Sequence, residues 1–580
     1  MKNKFSIIAC VLVALVLIQY RVKHSDLSSE TPLKVTTWDA LGYYMFLPGI
    51  FIYDDVTKYD WLTEIDKKYS VTGGGDFYQA TRSENGNYVG KYLGGVAILE
   101  LPFFFIGHVI AINSHYNADG FSPPYQYTIA FGVIFYCILA LFLLRFILLK
   151  YFSDPAVALS IVLLTTATNF IQFVAIDSAQ SHAFIFPLYV LMIYLSIKWH
   201  EQPRIIWAAL IGVTLGLATI SRPTEAIMLF IPLLWGTQNK AAAAHKWALV
   251  KQYLPHILWV GALGLVGILP QLIYWKIVSG DLIFNVGSKW YFLNPFFRVI
   301  VGFENGWMVY TPITILFVVG FFYIKEFPFK KSVIVFCLLN IWIITAWSDW
   351  KYGATYSTRA LVQSYPIFAL AFTAIVERIL QQKWKVLFYA IGAYLIFVNL
   401  FQMEQYFTTV LHYRDMNRAY YGRIYLNPSP TPLDMSLMDT DEVLDNEDEF
   451  QVIDETVIDT VIEIGRIKNY SNTIAQLRIK NDGSETAKER WIKITATIKA
   501  SVGFSNSYLN YKLKSSGKTK ERKIRIFNPI SQPGAFNNYA FFVEVPETFK
   551  DFNADLYFTS DNEFEGRISS IRISYLVGPL

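Results

Sequence analysis

Long apolar segments separated by short polar loops dominate the first 410 residues of the chain. The segments that are long enough to cross a bilayer as helices lie at about residues 5–20, 125–149, 157–176, 182–199, 205–221, 223–237, 253–275, 308–324, 332–347, 361–377 and 385–402. This pattern predicts a polytopic α-helical membrane domain over residues 1–410, with about 11 transmembrane helices.

Basic residues indicate on which side of the membrane each loop lies. Lys2 and Lys4 precede the first apolar segment and favour a cytoplasmic N-terminus. That segment has no small-residue cleavage pattern, so we expect an uncleaved anchor. Further basic clusters follow every second segment. The alternation predicts a multi-pass protein of a bacterial cytoplasmic (inner) membrane.

Residues 21–124 are predicted to form one large periplasmic loop. The apolar stretch Leu93–Ile112 is long enough to cross, but counting it as a span would place Arg145 and Lys150 outside. We therefore expect Leu93–Ile112 to lie along the outer surface as an interfacial helix, and the shorter stretch Leu41–Tyr53 to do the same.

The character of the chain changes after residue 410. Residues 411–455 include an acidic, polar stretch, which is typical of a solvated linker. Residues 456–580 alternate apolar and polar side chains, as in Trp491–Ile498 and Ile568–Tyr575, and this pattern predicts half-buried strands. We expect an extracytoplasmic all-β sandwich, because an odd number of crossings leaves this domain outside.

Composition narrows the class of protein further. The chain is 53% apolar, and its 50 basic and 46 acidic residues give a net charge of +4. The basic residues lie in short loops instead of on one face, which argues against a nucleic-acid partner. The three cysteines lie within apolar segments at no metal-ligand or disulfide spacing, and we expect them to pack in the membrane.

One carboxylate stands out, because it follows the first predicted crossing. Asp39 lies in the segment Thr37–Tyr44, at the outer side and within reach of lipid headgroups. A carboxylate at this depth can act on a lipid-linked substrate, although helix capping or a solvated loop is the simpler alternative. Tyr43 and Tyr44, in the same segment, are candidates for contacting the substrate or acceptor.

Three basic residues at predicted outer positions are candidates for binding a phosphate. Lys91 begins the interfacial stretch, Arg222 interrupts a long apolar region, and Arg359 ends a loop rich in aromatic residues. Charge close to the hydrocarbon is costly and is often functional. The alternatives are a snorkelling lysine at position 91 and an ion pair between Arg222 and Glu225.

A second short outer loop contains Asp177 and His182. These two side chains suit a divalent metal or a substrate contact, but two ligands are too few to identify a metal site, and helix capping is an equal alternative. With Asp39 they are the only obvious metal ligands, so a metal cofactor stays open. Three aromatic residues of the loop before Arg359 are candidates for stacking on a sugar: Trp350, Tyr352 and Tyr356.

Taken in order, these segments resemble the GT-C superfamily of integral-membrane glycosyltransferases, which includes protein O-mannosyltransferases and aminoarabinose transferases. The resemblance covers about residues 1–410. Its strongest parts are Trp38–Tyr44, Lys91–Gly95, Ser181–His182, Ser221–Thr224 and Asn305–Pro312.

The resemblance implies transfer of a sugar from a polyprenyl-phosphate donor to a lipid, glycan or protein acceptor at the outer face, with inversion. It implies that Asp39 is the general base, and that Lys91 binds the departing lipid phosphate, with Arg222 and Arg359 behind it. Two departures leave the donor and acceptor open. Mannosyltransferases have an acidic pair where this chain has Asp39 and Ala40, and aminoarabinose transferases have prolines where this chain has Tyr92 and Leu93.

Other functions compete with this interpretation. A lipid-linked glycan transporter is expected to place polar residues at the bilayer midplane and to show internal repeats, and neither feature is evident here. A polysaccharide polymerase or ligase depends on a long later outer loop, whereas the longest loop here is the first. A non-catalytic glycan-binding membrane protein is a further alternative.

Overall fold

The computed structural model describes residues 3–25, 33–480 and 489–579. Their contacts divide the chain into two compact units, Met1–Leu400 and Phe401–Leu580. The helices up to residue 407 are α1 Lys4–Lys23, α2 Asp39–Tyr44, α3 Phe46–Phe51, α4 Leu62–Tyr69, α5 Gly95–Ile112, α6 Pro123–Leu148, α7 Asp154–Thr166, α8 Ser181–Glu201, α9 Ile205–Ser221, α10 Phe230–Leu234, α11 Lys240–Gln252, α12 Leu254–Val278, α13 Arg298–Val301, α14 Trp307–Tyr310, α15 Ile315–Val319, α16 Lys330–Ala346, α17 Tyr365–Leu380 and α18 Lys385–Phe407.

Among the described residues, seven helical segments are long and apolar enough to cross a membrane: α1, α5, α6, α8, α12, Arg359–Leu380 and α18. The prediction of a polytopic helical membrane protein is confirmed. The other predicted crossings form shorter or interrupted helices, such as α7, α9 and Pro312–Tyr323, so the number of about 11 crossings stays a prediction. The segments α8 and Arg359–Leu380 are mostly buried, whereas α1, α12 and α18 expose apolar side chains.

Helix α5 is the stretch that the sequence predicted to lie along the outer surface. It packs antiparallel on the first half of α6, since Phe103 meets Tyr136 and Gly107 lies against Tyr125. By length and composition it also qualifies as a span. Its interfacial placement therefore stays a prediction.

Small residues bring α9 and α12 together. A Cβ on Gly212 would lie 2.5 Å from the carbonyl oxygen of Val260, and one on Gly216 would lie 2.5 Å from that of Gly264. Such close backbone contact is typical of helix packing in membranes, where glycine lets two helices approach. The packing fixes the end of α9, which leads directly into Arg222.

A short hairpin in the first unit pairs β1 Ala80–Arg82 with β2 Tyr88–Gly90. The second unit is a β-sandwich with the strands β3 Gln451–Ile458, β4 Ile462–Lys468, β5 Ser471–Ile479, β6 Arg490–Val502, β7 Ser507–Ser515, β8 Lys518–Arg525, β9 Phe536–Glu544, β10 Phe552–Ser560 and β11 Glu563–Val577.

The sandwich consists of two antiparallel sheets. One has the order β5-β10-β7-β8, and the other has the order β3-β11-β6-β9, with β4 also paired to β11. Alternate side chains of both sheets, such as Ile494, Leu509 and Leu556, enter one buried core. The predicted all-β domain and its alternating strands are confirmed.

Residues 411–455 differ from the predicted solvated linker, because they fold against the sandwich. They contain α19 Arg418–Ile424 and α20 Pro432–Ser436, and Thr431 and Asp434 form a capping box at the start of α20. Leu444 is buried with side chains of the sheet. Acidic residues of this segment pair with basic residues of β8, so their charges serve packing instead of solvation. The predicted boundaries of the three regions otherwise stay predictions.

Candidate active site

A cavity of about 190 Å³ lies in the first unit, where α2, the segment before α5, and the adjoining ends of α8 and α9 meet. Its wall combines charged, aromatic and hydroxyl side chains. The lining residues are Asp39, Tyr43, Lys91, Tyr92, Gln180, Ser181, His182, Arg222, Val286, Ser288, Trp347, Tyr352 and Arg359. A small cavity with a few converging polar groups is the arrangement expected of a ligand site.

Asp39 is the centre of the hydrogen-bond network in this cavity. Arg359 Nη2 lies 2.6 Å from Asp39 Oδ2 and forms an ion pair with it. The hydroxyls of Tyr92 and Tyr78 both donate to Oδ1, at 2.7 and 2.9 Å. An ionised carboxylate has about four acceptor positions. Described residues use three of them, which leaves one position on Oδ2 that no described donor occupies.

The surroundings keep Asp39 ionised. Burial alone raises the pKa of the carboxyl, but the charge of Arg359 and the three hydrogen bonds outweigh burial, so the pKa lies below its usual value. Burial and the charge of Asp39 raise the pKa of Tyr92 and of Tyr78, which therefore stay protonated donors. At neutral pH Asp39 is therefore a carboxylate that accepts hydrogen bonds from three donors.

Gly42 explains how Tyr92 reaches the carboxylate. A Cβ at this position would lie 2.0 Å from the ring of Tyr92. The ring also packs edge-on against Tyr43, with centroids 4.7 Å apart. In this motif Asp39 supplies the carboxylate, Gly42 leaves room for the ring of Tyr92, and Tyr43 packs against that ring.

A second glycine brings Lys91 to the same cavity. A Cβ on Gly95 would lie 2.4 Å from the backbone nitrogen of Ser221, so only glycine lets the start of α5 touch the end of α9. Gln271 of α12 accepts a hydrogen bond from the Gly94 amide at 2.8 Å. Lys91 and Arg222 thereby line one cavity, although 131 positions separate them in the sequence.

Neither of these two cations has a carboxylate partner among the residues that the structure describes. Arg222 Nη1 lies 3.1 Å from His182 Nδ1, and the alternative of an Arg222–Glu225 ion pair is not found within the described ranges. Glu225 instead accepts hydrogen bonds from Tyr189 and Gln363. The cavity therefore has two cations whose charge is not neutralised by direct contact with a carboxylate.

The structure brings most of the predicted site residues together. Seven of them line the cavity: Asp39, Tyr43, Lys91, His182, Arg222, Tyr352 and Arg359. The guanidinium of Arg359, which was predicted to bind a phosphate, contacts Asp39 Oδ2 and Gln180 Oε1. It is placed to orient the carboxylate.

Four predicted residues lie outside the cavity lining. Tyr44 is buried and donates to the carbonyl of Gly120, and Tyr356 donates to Asn399 at 3.0 Å. Asp177 accepts a hydrogen bond from Gln172 at 3.0 Å. Trp350 packs against Arg298, whose guanidinium lies 4.7 Å from the ring centroid. These contacts give all four residues a local packing role.

The predicted metal ligands do not form a metal site. Within the described part of the chain, no three His, Cys, Asp or Glu side chains are close enough together to hold an ion. His182 contacts Gln363 and Arg222, and Asp39 is occupied by Arg359 and two tyrosines. Asp39, Asp177 and His182 therefore do not fit a divalent metal, and no step below depends on one.

Sequence reasoning missed Tyr78, Tyr92, Gln180 and Gln363. Tyr92 directly follows Lys91, so its place in the motif was a usable signal. Tyr78 follows a glycine-rich loop, and nothing in its local sequence indicates that it reaches Asp39. Gln363 lies one turn after Arg359 on the same helical segment, which was a weaker signal.

No protein-family model and no curated protein matches the sequence. Among solved structures, the chain is similar to the apo oligosaccharyltransferase of Archaeoglobus fulgidus, with a TM-score of 0.39, 12% identity, and coverage of 73% of this chain and 58% of that one. It is also similar to the oligosaccharyltransferase AglB of Archaeoglobus fulgidus in complex with an inhibitory peptide and a dolichol-phosphate, with a TM-score of 0.41, 11% identity, and coverage of 72% and 57%. The chain thus spans less than two thirds of the length of either structure.

Proposed function

We propose that the protein is an inverting glycosyltransferase that moves a sugar from a polyprenyl-phosphate donor to an acceptor hydroxyl at the outer face of the membrane. One observation carries the proposal. An ionised carboxylate and two cations without carboxylate partners among the described residues line a single cavity, in a unit built from apolar helices.

Asp39 is the general base in this proposal. Its free acceptor position on Oδ2 receives the hydroxyl of the acceptor. As the bond from that oxygen to the anomeric carbon forms, the proton passes to Asp39 and the bond from the anomeric carbon to the phosphate oxygen breaks on the opposite face. The lowered pKa of Asp39 suits a base that acts late, when the acceptor hydroxyl has become acidic.

Lys91 and Arg222 stabilise the departing lipid phosphate. Negative charge develops on the phosphate oxygen as the glycosidic bond breaks, and cations held in place beside that oxygen stabilise such charge. Arginine and lysine suit this role because both donate several hydrogen bonds to phosphate oxygens. Arg359 does not share it, since Asp39 already neutralises its charge.

The apolar helices fit the donor, whose prenyl chain needs a hydrocarbon environment. The exposed apolar side chains of α12, such as Leu265, Ile273 and Ile277, provide a lipid-facing surface on the helix that also holds Gly94. A bacterial inner-membrane location, with the N-terminus in the cytoplasm and the sandwich in the periplasm, is part of the proposal and depends on the distribution of basic loops.

Release of free polyprenyl phosphate tests this function. The purified full-length protein is mixed with polyprenyl-phosphate sugars and membrane acceptors extracted from bacteria, and wild type is compared with Asp39→Asn. We expect release by wild type and a loss of about a thousandfold in Asp39→Asn. Asp60→Asn is the matched control, because Asp60 is an exposed aspartate of the same predicted loop. Equal release by wild type and Asp39→Asn would remove Asp39 from the mechanism.

A further inference from the structure

Trp38, the residue before Asp39, has an unusual conformation. Its φ is 55° and its ψ is −126°, a combination that costs energy in a residue with a large side chain. The residue is 56% exposed, although Ala40 to Leu47 are buried. Backbone strain of this kind is kept where the surrounding structure enforces it, and it clusters at functional sites.

The surrounding loop enforces this conformation from both sides. The Trp38 amide donates to the carbonyl of Val71 at 3.1 Å, and its own carbonyl accepts from Gln79 Nε2 at 3.0 Å. Between these two contacts, Thr72 binds both carboxylate oxygens of Asp66, at 2.7 and 2.9 Å. The loop over residues 71–79 is therefore anchored, and it holds the indole in place.

Glycines leave the space beside the indole open. One face of the ring packs on Gly73, where a Cβ would lie 2.4 Å from the indole. A Cβ on Gly74 or Gly75 would meet nothing within 4 Å, and Asp76 beyond them is exposed. The ring of Trp38 thus packs on Gly73, and the next two glycines leave exposed backbone that is followed in the chain by the exposed Asp76.

Two connections through the chain link this surface to the candidate base. Trp38 precedes Asp39 in the chain, and the loop that carries Gly73–Gly75 continues to Tyr78, whose hydroxyl binds Asp39 at 2.9 Å. The indole is thus carried by the residue next to the candidate base, and the glycine loop leads to a tyrosine that contacts this base. The lipid phosphate, by contrast, is assigned to Lys91 and Arg222.

We propose that Trp38, Gly73–Gly75 and Asp76 form the subsite that binds a sugar ring of the acceptor, so that the acceptor is a glycan. The inference rests on the proposed glycosyl transfer. The apolar face of a sugar ring packs on an indole, while its hydroxyls pair with carboxylates such as Asp76 and Asp39. A lipid chain would need an apolar groove, whereas Gly74, Gly75 and Asp76 form an exposed polar surface.

The test measures transfer into three acceptor fractions from bacterial membranes: saccharides, peptides and lipids. Trp38→Gly removes the indole and suits the positive φ, so the backbone can keep its shape. We expect transfer to saccharides only. We further expect a KM for the saccharide fraction about tenfold higher in Trp38→Gly, with unchanged kcat at saturation and unchanged donor KM. Trp38→Phe should show a smaller rise.

Trp384→Phe is the control for Trp38→Phe, because Trp384 is also exposed, at 51%, and lies between α17 and α18, away in the chain from Asp39 and from Gly73–Gly75. Its saccharide KM should equal that of wild type, and the thermal unfolding temperature of Trp38→Gly should stay close to the wild-type value. An unchanged saccharide KM in Trp38→Gly, or transfer by wild type to peptides or lipids alone, would overturn the subsite and leave the transferase intact. A wild-type protein that transfers to no fraction and releases no polyprenyl phosphate would contradict the proposed function itself.

Discussion

The two units use their charged side chains in different ways. In the sandwich unit, Arg525 contacts Asp439 at 2.7 Å, and Glu442, which is mostly buried, contacts basic residues of β8. In the helical unit, Lys91 and Arg222 line a cavity, and neither forms an ion pair with a carboxylate of the described residues. Paired charges hold a segment onto a sheet, whereas unpaired cations in a cavity stay available for an anionic ligand.

This contrast predicts opposite outcomes for the loss of a cation. Removing Lys91 should cost activity and leave stability unchanged, because its side chain forms no ion pair or hydrogen bond within the described ranges. Removing Arg525 should cost stability, because two carboxylates lose their partner.

The largest of these effects is expected for Lys91→Met, which should lower the rate of sugar transfer about a hundredfold. The departing phosphate would lose one of its two cations. Transfer kinetics at saturating donor, together with a thermal unfolding curve, measure both expectations. Lys67→Met, at an exposed lysine of the same predicted loop, is the control and should leave the rate unchanged. A Lys91→Met protein that transfers sugar at the wild-type rate would contradict the assignment of Lys91 to the phosphate.

For Arg525→Met we expect a loss of about 2 kcal/mol in the free energy of opening of the sandwich, since charged hydrogen bonds to Asp439 and Asp415 are lost. Hydrogen exchange of the β8 and β9 amides in the full-length protein measures this quantity. Arg567→Met removes an ion pair in which both side chains are more than half exposed, and it should change the exchange little. Equal effects of the two changes would contradict the structural role of the Arg525 pairs.

A third substitution, Gly42→Ala, tests whether Tyr92 positions Asp39. The added methyl group would lie 2.0 Å from the Tyr92 ring, so the ring must move and its hydrogen bond to Asp39 is lost. We expect transfer to fall about tenfold with little change in donor KM. Gly261→Ala, at a position where a Cβ meets nothing within 4 Å, should leave the rate unchanged. Full activity of Gly42→Ala would mean that Tyr92 does not position the base.

The smallest effect concerns pH. Tyr92→Phe keeps the ring and removes one donor to Asp39. The pKa of Asp39 is held low partly by this hydrogen bond, so its loss should raise the pKa. The base is active when ionised, and the acid limb of the kcat/KM profile should therefore move to higher pH, with the rate at pH 8 nearly unchanged. A shift to lower pH would contradict the assignment of Asp39 as the base.

Much of the fold could be predicted from the sequence, because long apolar segments and strict alternation are local signals. Helices α6, α8 and α12 lie within a few residues of their predicted ranges, and the strands around Trp491 and Ile568 were expected. The packing of residues 411–455 was missed. Its acidic side chains are typical of a solvated linker. Their partners are basic residues of β8, about 80 positions later, and only the fold brings the two together.

Individual residues of the candidate site could be predicted from the sequence, but the contacts between them could not. Asp39, Lys91 and Arg222 stand out because charge beside apolar segments is rare. The partner of Arg359, however, lies 320 positions away, and only the fold shows that it is Asp39. The same holds for Tyr78, whose hydroxyl reaches Asp39 through an anchored loop.

The proposed mechanism divides the roles: Asp39 acts on the acceptor, while Lys91 and Arg222 bind the lipid phosphate. Titration of polyprenyl phosphate into wild type, Asp39→Asn and Lys91→Met tests it directly. We expect Asp39→Asn to bind at least as tightly as wild type, because a nearby negative charge is removed, and Lys91→Met to bind about tenfold more weakly. Weakened binding in Asp39→Asn with unchanged binding in Lys91→Met would contradict this assignment of roles.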